Sequence, residues 1–190
     1  MLFDAAVRLE KLQDVSALWD GIVKTFRKTG FTHAIHISVG ADFKDAQFLS
    51  TIPDLYDDLP PEDDPFLHHS CNSYDVLTIG QAFVHLYPDV TPSEHSLIAR
   101  AGREGLHAAF AVPMRLKGSE RFGGFIVGNG MEAEEFERAF SDIAEDLRLF
   151  CLLMHRRIED LTGTAPLPLP ENPSAFDKLS PREAEVVNLL

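Results

Sequence analysis

Two apolar stretches, Leu106 to Leu116 and Phe122 to Val127, are separated only by Lys117-Gly118-Ser119-Glu120. That is a hairpin turn composition, so the two stretches read as neighbouring antiparallel strands. A second strand pair lies earlier. Phe31, His33, Ile35, Ile37 and Val39 alternate with Thr32, Ala34, His36 and Ser38 up to Gly40, the period of two expected of a strand. Gln47 to Ile52 follows after the short loop Ala41 to Ala46 and stops at Pro53, close enough for antiparallel pairing.

Helical spacing fills the rest. Leu2, Ala5, Ala6, Leu9 and Leu12 share one face, and Asp14 caps a second helix with Ala17, Leu18, Ile22, Val23 and Phe26 on its stripe, ended by Gly30. Thr91-Pro92-Ser93-Glu94 is a capping box with Pro at the first helical position, opening a helix from Pro92 to about Glu104 that Gly105 closes. Val76 to Tyr87 is ambiguous, with a short strand at Ala82 to Leu86. A single long helix from about Ala133 to Leu161 carries Phe136, Phe140, Ile143, Leu147, Phe150, Cys151, Met154 and Ile158, and stops at Gly163. Two helices, a strand pair, a helical middle and a closing hairpin and helix make an α/β protein. Its expected form is an α-β-α sandwich around a central antiparallel sheet, a ligand-sensing fold of the PAS or GAF kind with one sheet face available for a pocket.

Asp63-Asp64-Pro65-Phe66-Leu67 heads a short helix expected to run to about Tyr74. An Asp before Pro suits a helix start, because its carboxylate accepts a first-turn N–H and Pro gives up a donor that would be unpaired. Capping alone explains Asp64 in that way. A second reading comes from Ile52, Tyr56, Phe66, Leu67, Phe83 and Phe110, an apolar setting in which an ionised carboxylate needs a donor, such as a ligand amide N–H.

At 190 residues with 45% hydrophobic and 25% charged content, the chain is sized for one globular domain, 1–163, with an appendage. Pro166, Pro168, Pro170 and Pro173 make 164–178 a semi-rigid linker. Leu179-Ser180-Pro181-Arg182-Glu183 opens a further amphipathic helix, and 179–190 is too short to bury a core of its own. A formal charge of -13 and a pI near 4.9 argue against a nucleic-acid surface on these residues, since phosphate binding needs clustered Lys and Arg. No apolar run reaches membrane-span length, and the N-terminus has no signal pattern, which points to the cytoplasm and to no membrane partner. Cys71 and Cys151 read as buried free thiols.

The eight histidines give no metal framework: His33 and His36 face opposite sides of a strand, His68 and His69 diverge on a helix, and no HExxH is present. Gly128-Asn129-Gly130-Met131-Glu132-Ala133 formally matches a dinucleotide fingerprint, but Glu132, Glu134 and Glu135 at the helix start would repel a pyrophosphate. With no nucleophile elbow and no Walker sequence, no catalytic residue, cofactor or metal is expected.

Three segments carry a resemblance to the LuxR-type quorum-sensing transcription regulators, from about Asp14 to Leu190. Asp64-Pro65 resembles the family's Asp-Pro, Gly105 to Pro113 is similar to its strand entry after the last pocket helix, and Leu179 to Leu190 resembles the start of its helix-turn-helix domain. The resemblance implies a small-molecule signal, an acyl-homoserine lactone, whose amide N–H the Asp64 carboxylate accepts. The long C-terminal helix has a stripe that can cover a sheet and still leave a surface for a second copy of the chain, so a homodimer through it and simple core packing both stand. The resemblance also implies DNA contact only through a domain beyond these residues. The ligand set it implies is Asp64 and Tyr56 at a polar head, Phe66, Phe83 and Phe110 around an apolar tail, and His85 and Ser38 nearby. The chain departs from the pattern where Tyr56 stands for the usual Trp, Pro60 for a Tyr, and Ala109 for a Gly. These departures leave open a long-chain or unusual lactone, another signal, or a ligand-independent dimerisation module.

Overall fold

Five strands form one antiparallel sheet in the order β2-β1-β5-β4-β3 in a computed structural model that describes residues 1–57, 59–116 and 119–164, apart from the side chain of Cys71. They are β1 His33–Gly40, β2 Gln47–Ser50, β3 Leu77–Ile79, β4 Ala108–Met114 and β5 Arg121–Asn129. Both sequence-predicted pairs form, and β5 joins them by pairing β1 along its whole length. The hairpin tip at Lys117 and Gly118, the linker beyond Thr164 and the segment 179–190 lie outside the described residues.

The period of two splits the strands between two cores. Ala34 on β1, Ala108, Phe110, Val112 and Met114 on β4, and Phe125 and Val127 on β5 face one layer. Ile35, Ile37, Val39, Ala109, Ala111, Phe122 and Ile126 face the other. Helices α1 Leu2–Leu9, α2 Val15–Lys28, α5 Ala133–Phe140 and α6 Ala144–Thr162 contribute to the first core, and α3 Pro65–Asn72 and α4 Pro92–Arg103 cover the second. This is the expected α-β-α sandwich.

Local chemistry sets the helix ends where the sequence places them. The Asp14 carboxylate accepts the Ala17 N–H at 2.8 Å, and Gly30 adopts φ +101°, the left-handed position that ends α2. Thr91 and Glu94 close both bonds of the capping box.

Two expectations are corrected. The strand in the ambiguous segment is Leu77–Ile79, while Gln81–Leu86 is a 3-10 turn. Gly80 makes the change possible: it sits at φ +103°, and a Cβ there would lie 2.4 Å from the His107 carbonyl oxygen, so the chain leaves the sheet before Ala82. The long C-terminal helix is two helices with a turn at 141–143. Its apolar spacing continues unbroken through that turn, so periodicity alone hides the break. The turn lets Phe136 and Phe140 of α5 pack on Phe31, with Phe140 stacked at a centroid distance of 4.4 Å, while α6 runs on over α1.

Phe31 is the hub of this core, in ring contact with Phe26, Phe110, Phe136 and Phe140. Truncating a buried Phe removes its transfer energy and leaves a void, about 3–5 kcal/mol in all. Phe31→Ala is expected to lower the unfolding free energy by that amount, and so to lower the urea midpoint with an unchanged m-value, measured by equilibrium denaturation.

Candidate functional site

The second core is incomplete. Between the sheet and α3 and α4 lies a cavity of about 560 Å³, within the range of small-molecule sites. Its floor crosses four strands: Ile35 of β1, Ile126 of β5, Ala109 and Ala111 of β4, and Leu77 and Ile79 of β3. The two alanines are why there is space, since larger residues at those points would fill the trough. Leu97, Ile98 and Ala101 of α4 form the opposite wall, and Leu86 to Val90 stand at the β3 side.

Asp64 and Tyr56 supply polar groups to this apolar space. Asp64 precedes Pro65 at the head of α3, and its Oδ1 accepts the Phe66 N–H at 2.8 Å. The capping reading is therefore correct for one oxygen. The other, Oδ2, is buried and has no hydrogen-bond partner among the described residues. Only 1% of Asp64 is exposed, and burial pushes its carboxyl up to about 6, against the opposing pull of the Phe66 N–H, the Tyr56 hydroxyl, the Leu67 N–H and His68.

Tyr56 ends a 3-10 turn, Pro53–Tyr56, whose start is set by Pro53. Its ring lies against Phe48 of β2 at 4.6 Å, and the Arg100 guanidinium of α4 donates to the neighbouring Leu55 carbonyl. Burial first, and then the Asp64 charge, pushes its hydroxyl well above the usual phenol range, so Tyr56 remains a protonated donor. Because Tyr56 touches both Phe48 and the surroundings of Asp64, the polar end of the cavity lies toward β2, and the floor runs from there to edge strand β3.

Of the sequence-predicted ligand set, Asp64, Tyr56 and Phe66 line the cavity. The other four do not. Phe110 alternates with Ala109 and Ala111 and therefore points to the opposite core, against Phe31 and Phe136. Phe83 packs on Phe136 in that same core. His85 is exposed on the 3-10 turn. Ser38 shares the parity of His36, away from the cavity, and its hydroxyl accepts from Arg121 Nε at 3.0 Å. Sequence reasoning missed Ala109 and Ala111, although the alternation in Ala108-Ala109-Phe110-Ala111-Val112 assigns them to the face opposite Phe110.

Among the described residues no group of three His, Cys, Asp or Glu side chains is placed to hold a metal, and no helix is long and apolar enough to cross a membrane. In the glycine-bearing turn after β5, Asn129 donates to the Gly30 carbonyl and accepts from the Met131 N–H, a structural use of that segment. Cys151 is a buried free thiol, as expected, and burial pushes it well above the usual range.

The chain matches the autoinducer-binding domain family over residues 14–158. No curated protein sequence matches it. Among solved structures it is similar to an N-acylhomoserine lactone dependent LuxR family transcription factor, CepR2 from Burkholderia cenocepacia, at 13% identity and a TM-score of 0.67, covering 85% of this chain and 96% of that one. It is also similar to SdiA in complex with octanoyl-rac-glycerol, at 14% identity and 0.62, covering 99% and 74%. For SdiA of Escherichia coli in another crystal the values are 14% and 0.57, covering 96% and 74%. At these identities the structures show a shared fold. The family match, spanning most of the chain, shows more: this is a member of the autoinducer-binding domain family, a signal-sensing and not a catalytic module.

Proposed function

We propose that the cavity takes a neutral signal with an acyl tail and a hydrogen-bond donor in its head, of the acyl-homoserine lactone class, and that Asp64 and Tyr56 hold the head. The observation that carries this reading is Asp64 Oδ2. Holding that carboxylate ionised at neutral pH costs the empty protein about 3 kcal/mol, given a carboxyl raised from 3.8 to about 6. A ligand amide N–H would supply the missing partner, and Tyr56 would donate to a head carbonyl. Among the described residues the lining carries no Lys or Arg, which disfavours a carboxylate head. A second reading is a monoacylglycerol, because a glycerol hydroxyl is also a donor suited to Oδ2, and the similar SdiA structure holds such a molecule.

In this reading the ligand fills the incomplete core and shifts the domain toward its ordered state. The domain would act in the cytoplasm as a homodimer, and coupling to DNA would run through a helix-turn-helix segment beginning near Leu179. Support for pairing comes from α6 and from α1 packed against it, which expose Phe3, Val7, Leu149 and Leu152.

Four outcomes test these points. Lactones and monoacylglycerols of graded tail length are screened by thermal melts. A signal at a hundredfold excess over its dissociation constant adds about 2.7 kcal/mol and raises the melting temperature by roughly 5–10 °C; no shift from any of them would sink the reading. Asp64→Asn keeps the cap and removes the buried charge, so the empty variant is expected to melt at or above the native chain at neutral pH while losing the ligand shift. Because an ionised Asp64 is the acceptor, the native ligand shift should also shrink as the pH falls through about 6. Finally, Leu149→Glu with Leu152→Glu should convert a dimer to monomer in sedimentation velocity without lowering the ligand shift, since neither residue lines the cavity.

A further inference from the structure

Three ionisable side chains are buried in series on the sheet face away from the cavity. His36 stands on β1 between Ile35 and Ile37, with Nε2 2.9 Å from Nδ1 of His155 on α6. One turn further along α6, Glu159 brings Oε1 to 3.4 Å from His155 Nε2. All three residues are 0% exposed. His36 Nδ1, His155 Nε2 and both Glu159 oxygens have no hydrogen-bond partner in the described residues. Apolar residues of similar volume would pack this space at no polar cost.

The order of groups fixes the protons. A neutral imidazole has one donor and one acceptor nitrogen. Glu159 beside Nε2 of His155 favours a proton there, leaving Nδ1 as the acceptor of the His36 Nε2–H. His36 Nδ1 is then the one bare ring nitrogen of the pair that accepts no hydrogen bond, and a proton placed on it would find no acceptor among the described residues. The titratable and charged groups facing His36 are His155 and Glu159 from α6 and Arg121 from β5, whose guanidinium is held on Ser38. Burial, then His155 and Arg121, hold the His36 ring well below the ordinary imidazole range. A proton therefore enters readily only when α6 has lifted from the sheet.

We propose that His36, His155 and Glu159 form an acid-sensitive latch that clamps α6 onto β1 while the His36 ring is neutral and releases it on acidification. β1 carries the latch on one face and Ile35 of the cavity floor on the other, so the clamp acts on a strand that the ligand site also uses.

Asp64 titrates in the same pH range, so the test is made in an Asp64→Asn background. Thermal melts at about pH 7.5 and about pH 5.5, on either side of the ordinary imidazole value, compare that chain with one also carrying His36→Phe, His155→Leu and Glu159→Met. The chain with the latch is expected to lose on the order of 5 °C more on acidification than the apolar one. Equal losses would overturn the proposal. Should the apolar variant fail to fold, amide exchange in the Asp64→Asn chain decides: protection of α6 falling relative to that of α2 between the two pH values supports the latch, and an unchanged ratio overturns it.

Discussion

The alternation of side chains along β4 and β5 divides this molecule. Neither strand has a solvent face, because every β4 residue and nearly all of β5 are buried. Cover is therefore required on both sides, and a single step in register would exchange the two cores. Phe110, Val112 and Phe125 meet an aromatic layer fed by Phe26, Phe31 and Phe136, which packs solid. Ala109 and Ala111 meet the other side, where small floor residues leave the cavity. Stability and ligand space are thus opposite faces of the same strands.

Asp64 follows from that division. A cap at the head of α3 needs one carboxylate oxygen, and an exposed cap would leave the other in water. Here the cap is buried against the cavity, so Oδ2 loses water and finds no hydrogen-bond partner among the described residues, and the pull of Tyr56, Leu67 and His68 does not offset its burial. An Asn would cap as well without the charge. In the proposed function the partner of the retained carboxylate comes from outside the chain, and on that reading the empty domain is less stable than the filled one.

Much of this was legible in the residues. Period-two alternation placed β1, a short loop and Pro53 placed β2, two apolar runs about a hairpin turn placed β4 and β5, and capping chemistry placed α2, α3 and α4, because those signals are local. The break between α5 and α6 was hidden because Phe140, Ile143 and Leu147 keep helical spacing across a turn that only the position of Phe31 explains. At the site, Asp64, Tyr56 and Phe66 were found because they are near in sequence, on one connection and one helix start. Phe83 and Phe110 read as tail residues on apolar character alone, whereas parity assigns Phe110 to the other core and leaves the space to alanines. His36 and His155 could not be paired at all, being 119 positions apart.

The two buried titrating sites pull stability in opposite directions. Asp64 has a folded pKa near 6 against 3.8 for the free group, so its cost is present at neutral pH and relieved as the pH falls through about 6 toward the free value. His36 has a folded pKa below 6.5, so the stability it contributes as a neutral ring is present above that value and is lost as the pH falls below it. Between the ordinary carboxylate and imidazole values, acidification relieves the first and weakens the second, so the two act against each other. A flat pH profile of the whole chain would therefore conceal two strong dependences on opposite faces of β1. Binding a donor at Asp64 removes its half of the compensation, so the ligand-filled domain should respond to acid more steeply than the empty one, and the response should reach α6 through His36.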